Sequence, residues 1–323
     1  MSPKVIEQGS TACAEAPIGT GQYTFKEWIQ GDHLTVELNK DWWGYDADIC
    51  GGTPLADKDA GFKSITLKPV PESATRVAMI QSGDAQLIWP VPDENLAGLK
   101  SDPNVIVGQD QGLVVRYLMM NNQKKPFNDK KVRQAINYAL NRENFVLMCY
   151  EGAAEVNSSL CSPERFGYSE DITQYTYDPD KAIELLAEAG IETPYNLGEI
   201  LVDESNSDLA TVLQSDLAAV GLECTISTKE FNAYISDLTS GTYGISVLNM
   251  TLDGDTQNLE MAYCTDYIGT ANNARYSDPE MDDLFDQART ETDTEASAEI
   301  FHPIFQKAQD EAIYAPICNQ PII

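Results

Sequence analysis

Carboxylates and histidines are the side chains in this sequence that could perform acid–base or hydrolytic chemistry. Neighbouring acids such as Asp282 and Asp283 could act as a general acid and base. The chain holds 51 Asp and Glu residues, however, so adjacent acids arise from composition and are typical of a solvated face. A hydrolytic triad needs a histidine beside a nucleophile. His33 and His302 lie in a predicted strand and a predicted helix, and the G-x-S-x-G pattern is absent. We therefore predict no catalytic residues. A secreted hydrolase is kept as the one enzyme hypothesis for this chain.

Cysteine and histidine spacing decides whether a metal site is expected. The chain has seven cysteines but no C-x-x-C pair, and it has two histidines. This pattern predicts neither a metal site nor a cofactor. Cys149 and Cys161 flank a glycine-containing loop. They either form a disulfide in an oxidising compartment or remain two small buried side chains.

The charge balance restricts the possible partners. The formal net charge is −30, and such an acidic surface repels nucleic acid, so no nucleic-acid partner is predicted. The charge either keeps an exported protein soluble or attracts a cationic ligand. No apolar run approaches the roughly 20 residues that span a bilayer, and the first residues lack the apolar region of a signal peptide.

The 323 residues exceed what one compact core usually holds, so two domains or lobes are expected. Alternating residues predict a hairpin over 22–28 and 33–38, joined by Gly31 and Asp32. Further strands are predicted over 63–69, 85–89, 113–120, 223–228, 243–250 and 314–318. Helices are predicted over 71–82, 129–140, 141–150, 178–190, 207–220 and 294–312, and another from Pro279, with caps at Ser73, Asn141 and Asp178. Strands that alternate with helices favour an α/β fold.

Six blocks of residues then carry a family resemblance. They are Pro17–Tyr23 (PIGTGQY) with Trp28, Gly31-Asp32 and Trp42-Trp43-Gly44; Pro126–Asp129 (PFND) with Val132–Ala135 (VRQA); Asn141–Glu143 (NRE); Tyr150–Ala154 (YEGAA); Tyr177–Ala182 (YDPDKA); and Tyr276–Asp282 (YSDPEMD). Their order resembles the pattern of the family 5 extracellular solute-binding proteins, the peptide- and nickel-binding receptors of ABC importers. In that family the G-T-G segment lies well inside the chain. The resemblance therefore implies a fragment that lacks the N-terminal part and a lipoprotein-type signal peptide.

The resemblance implies a two-lobed, type II periplasmic-binding-protein-like α/β fold with a cleft between the lobes. Residues 1–118 would form part of lobe I, 119–312 would form lobe II, and 313–323 would return as a strand to lobe I. The ligand-binding residues that it implies are Trp89, Tyr117, Met119, Asn249, Met250, Asp253, Asp255 and Asn319. Packing in the core or hinge is the alternative for Trp89, Tyr117, Met119 and Asn319. Many relatives carry an Asp that neutralises a peptide's ammonium group, and Leu252 stands at that position here, beside Asp253.

The function implied by the resemblance is that of a receptor and not an enzyme. It would capture a peptide-like solute between hinged lobes and deliver it to an ABC permease in the membrane. A nickel-chelate or glutathione receptor is the alternative within the family. The protein is expected to be a monomer, extracellular or periplasmic, and anchored as a lipoprotein in its full-length form.

Overall fold

The computed structural model describes residues 7, 9, 11, 13–58, 61–92, 95–160, 172–251 and 256–323. Its contacts divide the chain into two compact units, Met1–Asn95 and Leu96–Ile323, here called the first and second units. Both units contain helices and strands, as the predicted α/β class requires. Among the described residues, no helix has the length and apolar character needed to cross a membrane.

The first unit contains an antiparallel sheet of β1 (Tyr23–Ile29), β2 (His33–Leu38) and β3 (Ser64–Leu67), in that order. The predicted hairpin is confirmed, with Gly31 in the left-handed region at φ 79° in the turn. A 3₁₀ turn, Trp43–Tyr45, precedes β3 in the chain, and the helix α1, Ser73–Ser82, follows β3.

Two predictions in this unit are wrong. The segment 85–89 forms no strand, and its Leu87 side chain is 79% exposed. An apolar run forms a buried strand only where it pairs with a sheet, and the described sheet of this unit consists of β1, β2 and β3. Ser73 is not the cap of α1 but its first residue. Its hydroxyl instead accepts a hydrogen bond from Nη2 of Arg76 at 3.2 Å.

The second unit is built on a six-stranded sheet with the order β5-β9-β4-β8-β6-β7. The strands are β4 (Asp110–Met120), β5 (Glu155–Val156), β6 (Tyr195–Asp203), β7 (Leu222–Lys229), β8 (Ile245–Thr251) and β9 (Tyr314–Ile322). β6 runs parallel to β7 and β8, whereas β4 is antiparallel to β8 and β9. The predicted strands 113–120, 223–228, 243–250 and 314–318 are confirmed within this sheet.

The helices of the second unit are α2 (Leu96–Ser101), α3 (Lys130–Ala139), α4 (Arg142–Tyr150), α5 (Pro179–Glu188), α6 (Ser207–Ala219), α7 (Phe231–Ser240), α8 (Thr256–Tyr263), α9 (Pro279–Thr290) and α10 (Thr294–Asp310). The predicted caps Asn141 and Asp178 are confirmed, and Asp129 caps its helix in the same way. The side chains of Asp129, Asn141 and Asp178 accept hydrogen bonds from the backbone N–H groups of the first turns of α3, α4 and α5.

Alternation along β4 divides the core of the second unit between the two faces of the sheet. Leu118 and Met120 join a cluster that includes α3, α4, α5 and α6. Val115, Tyr117 and Met119 join a second cluster, with residues of α7, α8, α9 and α10. A sheet covered on both faces explains the continuous apolar run along β4.

The units can be compared with the predicted lobes. The boundary between the compact units falls at Asn95 and Leu96, whereas the predicted lobe boundary, 118/119, falls inside β4. The predicted return strand, 313–323, corresponds to β9, which pairs with β4 in the sheet of the second unit. How these units correspond to the lobes of the whole protein stays a prediction. Cys149 is a free thiol, and Cys161 lies outside the described residues.

Candidate functional site

One edge of the six-stranded sheet collects the ends of several strands. Because β6, β7 and β8 are parallel, their carboxyl ends lie at the same edge. The antiparallel β4 begins there, and β9, which is antiparallel to β4, ends there. We call this border the carboxyl-end edge. In open α/β sheets, ligands bind outside the carboxyl ends of the strands, so this edge is the candidate site.

β8 has an unpaired side near the carboxyl-end edge. Its parallel pairing with β6 joins Ile245 and Ser246 to Ile200 and Leu201. Within the described part of the chain, β8 has β4 as its single partner beyond Ser246. The carbonyl of Val247 accepts a hydrogen bond from the hydroxyl of Tyr234 on α7 at 2.7 Å. The last residues of β8 therefore offer backbone groups on one side, which another extended chain can pair with.

Two predicted ligand-binding residues, Asn249 and Met250, lie on this free end of β8. Asn249 is exposed and Met250 is half-buried. Successive side chains of a strand point to opposite faces. Met250 packs against the cluster that contains Tyr117, whereas Asn249 lies opposite Arg116, on the other face. A solute paired with β8 would therefore meet a polar amide on one face and a thioether on the other.

Arg116 is a functional candidate that the sequence prediction missed. It is 6% exposed, and its guanidinium donates to three neutral oxygen atoms. These are the Tyr150 hydroxyl at 3.3 Å, Asn206 Oδ1 at 3.0 Å and Gln320 Oε1 at 3.3 Å. The side chain thus ties β4 to α4, to the turn after β6 and to β9. A charged residue inside the apolar run of β4 was the signal that could have found it.

The groups around Arg116 stay neutral over the physiological pH range. Burial raises the pKa of the Cys318 thiol to about 12 and that of the Cys149 thiol to about 11. Burial likewise raises the pKa of the Tyr150 hydroxyl. The positive charge of Arg116 is therefore held in place by neutral hydrogen-bond acceptors, and one of them, Asn206, also donates a hydrogen bond to the buried Asp203 carboxyl.

Tyr117 and Met119 lie in the core and offer no surface to a solute, since each is 1% exposed. The Tyr117 ring packs edge-on against Tyr314 with 5.1 Å between the ring centroids, and burial raises its pKa well above 10. This placement favours packing, the alternative to ligand contact, for both residues. They support the carboxyl-end edge from inside the unit.

Asn319 lies on β9 at the carboxyl-end edge and is 1% exposed. Its Oδ1 accepts a hydrogen bond from Nδ2 of Asn157 at 2.9 Å. It also lines a cavity of about 580 Å³ together with Asn157, Gln174 and residues of β5. Its backbone is paired with β4 on one side and β5 on the other, so Asn319 reaches a ligand only through that cavity.

The remaining predicted site residues lie elsewhere. Trp89 belongs to the first unit, where its side chain is 71% exposed, so core packing within the described chain does not account for it. Asp253 and Asp255, with Leu252, lie outside the described residues. In the described segments, no group of three or more His, Cys, Asp and Glu residues is arranged to hold a metal ion.

Phe231 is a second candidate that the sequence prediction missed. It begins α7 directly after β7, at the carboxyl-end edge, and is 60% exposed. Tyr234 and Leu238, at helical spacing on the same stripe, are fully buried. Phe231 therefore continues a buried stripe beyond the core. An apolar aromatic side chain next to a strand end was the available signal.

The arrangement was then compared with known proteins. The family model described as bacterial extracellular solute-binding proteins, family 5 middle, matches residues 3–268. Heme-binding protein A of Haemophilus influenzae is 30% identical over 316 residues, which cover 94% of this chain and 54% of that protein. Glutathione-binding protein GsiB of Salmonella paratyphi A is 32% identical over 233 residues, covering 71% of this chain and 43% of that protein.

A solved structure agrees in fold. The periplasmic binding protein DppA of Helicobacter pylori, in complex with the peptide STSA, aligns with a TM-score of 0.80 at 25% identity. The alignment covers 99% of this chain and 61% of that chain. The predicted type II periplasmic-binding-protein-like fold is thereby confirmed. The chain spans about half the length of the curated relatives it matches.

Proposed function

Because the chain belongs to the family 5 bacterial extracellular solute-binding proteins, we propose that its protein captures a peptide-like solute at the carboxyl-end edge and delivers it to the permease of an ABC importer. Family 5 proteins are solute receptors and not enzymes. The observation that carries the proposal is the free end of β8, where the pairing with β6 has stopped and, as far as the described residues show, backbone groups remain available. A peptide supplies the matching row of N–H and C=O groups.

The geometry of α7 supports a peptide over a solute without side chains. α7 connects two parallel strands, β7 and β8, so it runs antiparallel to them and its first residue lies toward the carboxyl-end edge. Tyr234 bonds the carbonyl of Val247, and Phe231 lies three residues earlier, about 4.5 Å further along the helix axis. Phe231 therefore lies further toward the carboxyl-end edge than Tyr234, whose cluster Met250 also joins.

Phe231 and Met250 thus offer apolar surface on one face of the free strand end, while Asn249 offers an amide on the other. A peptide paired with β8 would direct alternate side chains to these two surfaces. A peptide whose polar and apolar side chains alternate would therefore fit both surfaces. Glutathione, itself a short peptide, is the second candidate, and the similarity to glutathione-binding protein GsiB favours it.

We further propose that the whole protein works as a monomer outside the cytoplasm and is held at the membrane as a lipoprotein. The family description, extracellular solute-binding proteins, supports this location. A receptor of this kind needs a permease partner, and the membrane anchor would keep it near that permease.

The proposal is tested by a thermal-shift screen of the complete product of the gene that encodes this chain. The panel contains di-, tri- and tetrapeptides, glutathione, heme and a nickel chelate. A ligand at 100 times its dissociation constant adds about 2.7 kcal/mol to stability. Stabilisation by peptides supports the proposal. Stabilisation by heme or the nickel chelate alone, or by none of the panel, would reject peptide capture.

A further inference from the structure

The cavity of about 580 Å³ beside β5 is lined by residues of the second unit. Its volume is in the range of pockets that hold small molecules. In the sheet, β9 and β4 separate β5 from β8. Neighbouring strands are about 4.8 Å apart, so β5 lies about 14 Å across the sheet from β8. The cavity is therefore separate from the free end of β8.

Two deeply buried side chains of this cavity carry N–H groups without a described acceptor. Asn319 is 1% exposed, and while its Oδ1 accepts a hydrogen bond from Asn157, its Nδ2 donates to none of the described residues. Arg142 is 4% exposed and has five N–H groups. Four of them donate to oxygen atoms, which leaves one N–H of Nη2 without an acceptor in the described part of the chain. Buried donors of this kind favour an occupant that brings oxygen atoms.

The charge of Arg142 favours an anionic oxygen. The four oxygen atoms that its guanidinium contacts are neutral, the shortest contact being 2.7 Å to the carbonyl of Pro316. The Asp216 carboxylate partly offsets this charge, but the hydrogen bond that it accepts comes from the backbone of Asn141. Burial lowers the pKa of Arg142 to about 10, so the side chain stays protonated at physiological pH. A carboxylate in the cavity would supply the missing acceptor together with a countercharge.

The mouth of the cavity carries the opposite charge. Glu143 and Glu155 line the cavity and are exposed, in contrast to the buried Asn319 and Arg142. Tyr177 also lines it and is 46% exposed, and an aromatic ring attracts a cation to its face. A molecule that is negative at its inner end and positive at its outer end matches this arrangement.

We infer that this cavity is a second binding site, which takes a small zwitterion of the free amino acid class. Its carboxylate would lie against Asn319 and Arg142, and its ammonium group would lie between Glu143 and Glu155. The volume leaves room for a side chain beside Tyr177. An occupant would tie β9 to β5 and to the start of α4. This second site does not depend on the function proposed for the free end of β8.

The ligand class is tested by calorimetric titration of the complete gene product with each of the standard amino acids. The amino acid that binds most tightly is then compared with its carboxamide, which lacks the anionic group, and with its N-acetyl derivative, which lacks the cationic group. We expect each derivative to bind at least about tenfold more weakly. Derivatives that bind as tightly as the amino acid, or a panel in which none binds at millimolar concentration, would overturn the inference.

Variants of the lining assign the binding to this cavity. Asn319→Asp keeps the acceptor for Asn157 but turns the free amide nitrogen into a carboxylate oxygen, so affinity should fall at least about tenfold. The double variant Glu143→Gln and Glu155→Gln changes two exposed side chains and should weaken binding by about threefold to tenfold without affecting folding. Glu151→Gln is the matched control, because it removes an exposed charge outside the lining and should leave affinity unchanged.

Competition separates this cavity from the free end of β8. The amino acid should bind with the same affinity when the complete gene product is saturated with a peptide. Displacement by that peptide would overturn the inference, because the amino acid would then occupy the solute site. An affinity that the double variant leaves unchanged would also overturn it. This second result decides the matter if no peptide binds or if Asn319→Asp does not fold.

Discussion

Met250 on β8 and Asn319 on β9 lie in one row across the sheet, because each pairs directly with Val115 of β4. The neighbouring row joins Asn249, Arg116 and Cys318. The two rows join three strands side by side at the carboxyl-end edge, although Val115, Cys318 and Asn319 are themselves buried. A substitution on one of these strands is therefore expected to alter the packing of the other two.

Removing Arg116 should destabilise the second unit. Arg116→Met leaves the Tyr150 hydroxyl, Asn206 Oδ1 and Gln320 Oε1 without their buried donor. We expect a loss of about 2–4 kcal/mol in the free energy of unfolding, measured by urea denaturation. Arg289→Met is the control, since that side chain is 57% exposed and should cost less than about 1 kcal/mol. Equal losses in the two variants would contradict the assignment of Arg116 as a structural tie.

Gly112 should tolerate no side chain, because β4 and β9 approach closely there. A Cβ at Gly112 would lie 2.0 Å from the carbonyl oxygen of Gln320, so the backbone must shift. Gly112→Ala should lower the free energy of unfolding by about 1–3 kcal/mol. Gly108→Ala is the matched control, since no atom lies within 4 Å of its Cβ. It should leave stability unchanged or raise it by up to about 1 kcal/mol. Denaturant unfolding of both variants decides the point, and an unaffected Gly112→Ala would refute the close approach.

Asp216 should make stability depend on pH. It accepts a hydrogen bond from the backbone N–H of Asn141 at 3.0 Å. Burial raises its pKa from 3.8 to about 6, against the opposing effects of that bond and of the Arg142 charge. Between these two pKa values the folded state binds more protons than the unfolded state, so this contribution to stability falls as pH rises from about 4 to about 6 and is constant above.

The variant Asp216→Asn isolates this contribution. Relative to that variant, the unmodified chain should lose about 1–3 kcal/mol between pH 4 and pH 6, and nothing further between pH 7 and pH 8. Urea unfolding at each pH measures the difference. Parallel profiles for the two proteins would show that the Asp216 carboxyl titrates normally.

Phe231 should contribute to solute affinity and not to folding. Phe231→Ala removes an aromatic side chain that is 60% exposed, so the melting temperature should stay within the error of measurement. Affinity for a peptide with apolar side chains should fall by about 1–2 kcal/mol, or about fivefold to thirtyfold, in calorimetric titration. Ile235→Ala, one turn further along α7 and 39% exposed, should leave affinity unchanged. Equal effects of the two variants would remove Phe231 from the site.

Local sequence signals predicted most of the regular elements, but not the strand β6 or the helix α7, which border the candidate site. Asn141 and Asp178 cap the helices they were expected to cap, because capping depends on a side chain and the few residues after it. The prediction of a strand over 85–89 failed because a short apolar run does not show whether another strand will pair with it. Short-range chemistry therefore accounts for most of the elements of this chain.

The candidate site was harder to predict, because it depends on which strands become neighbours. Asn249 and Met250 reach the carboxyl-end edge, whereas Tyr117 and Met119 turn into the core that helices α7–α10 help to form. Nothing in the run 113–120 distinguishes a residue covered by a distant helix from one that faces a solute. The roles of Arg116 and Phe231 likewise depend on tertiary structure. One hydrogen-bond partner of Arg116 lies 204 residues away in the chain.

The most direct test of peptide capture compares a peptide with its ester analogue. An ester in place of one amide removes a single N–H donor and hardly changes shape. Calorimetric titrations of the complete gene product would compare two affinities. One is for the tetrapeptide that gives the largest thermal shift, and the other is for its ester analogues. If the peptide backbone pairs with the free end of β8, at least one ester should bind weaker by about 1–3 kcal/mol. Esters that all bind as tightly as the peptide, or a peptide that does not bind, would contradict backbone pairing at this edge.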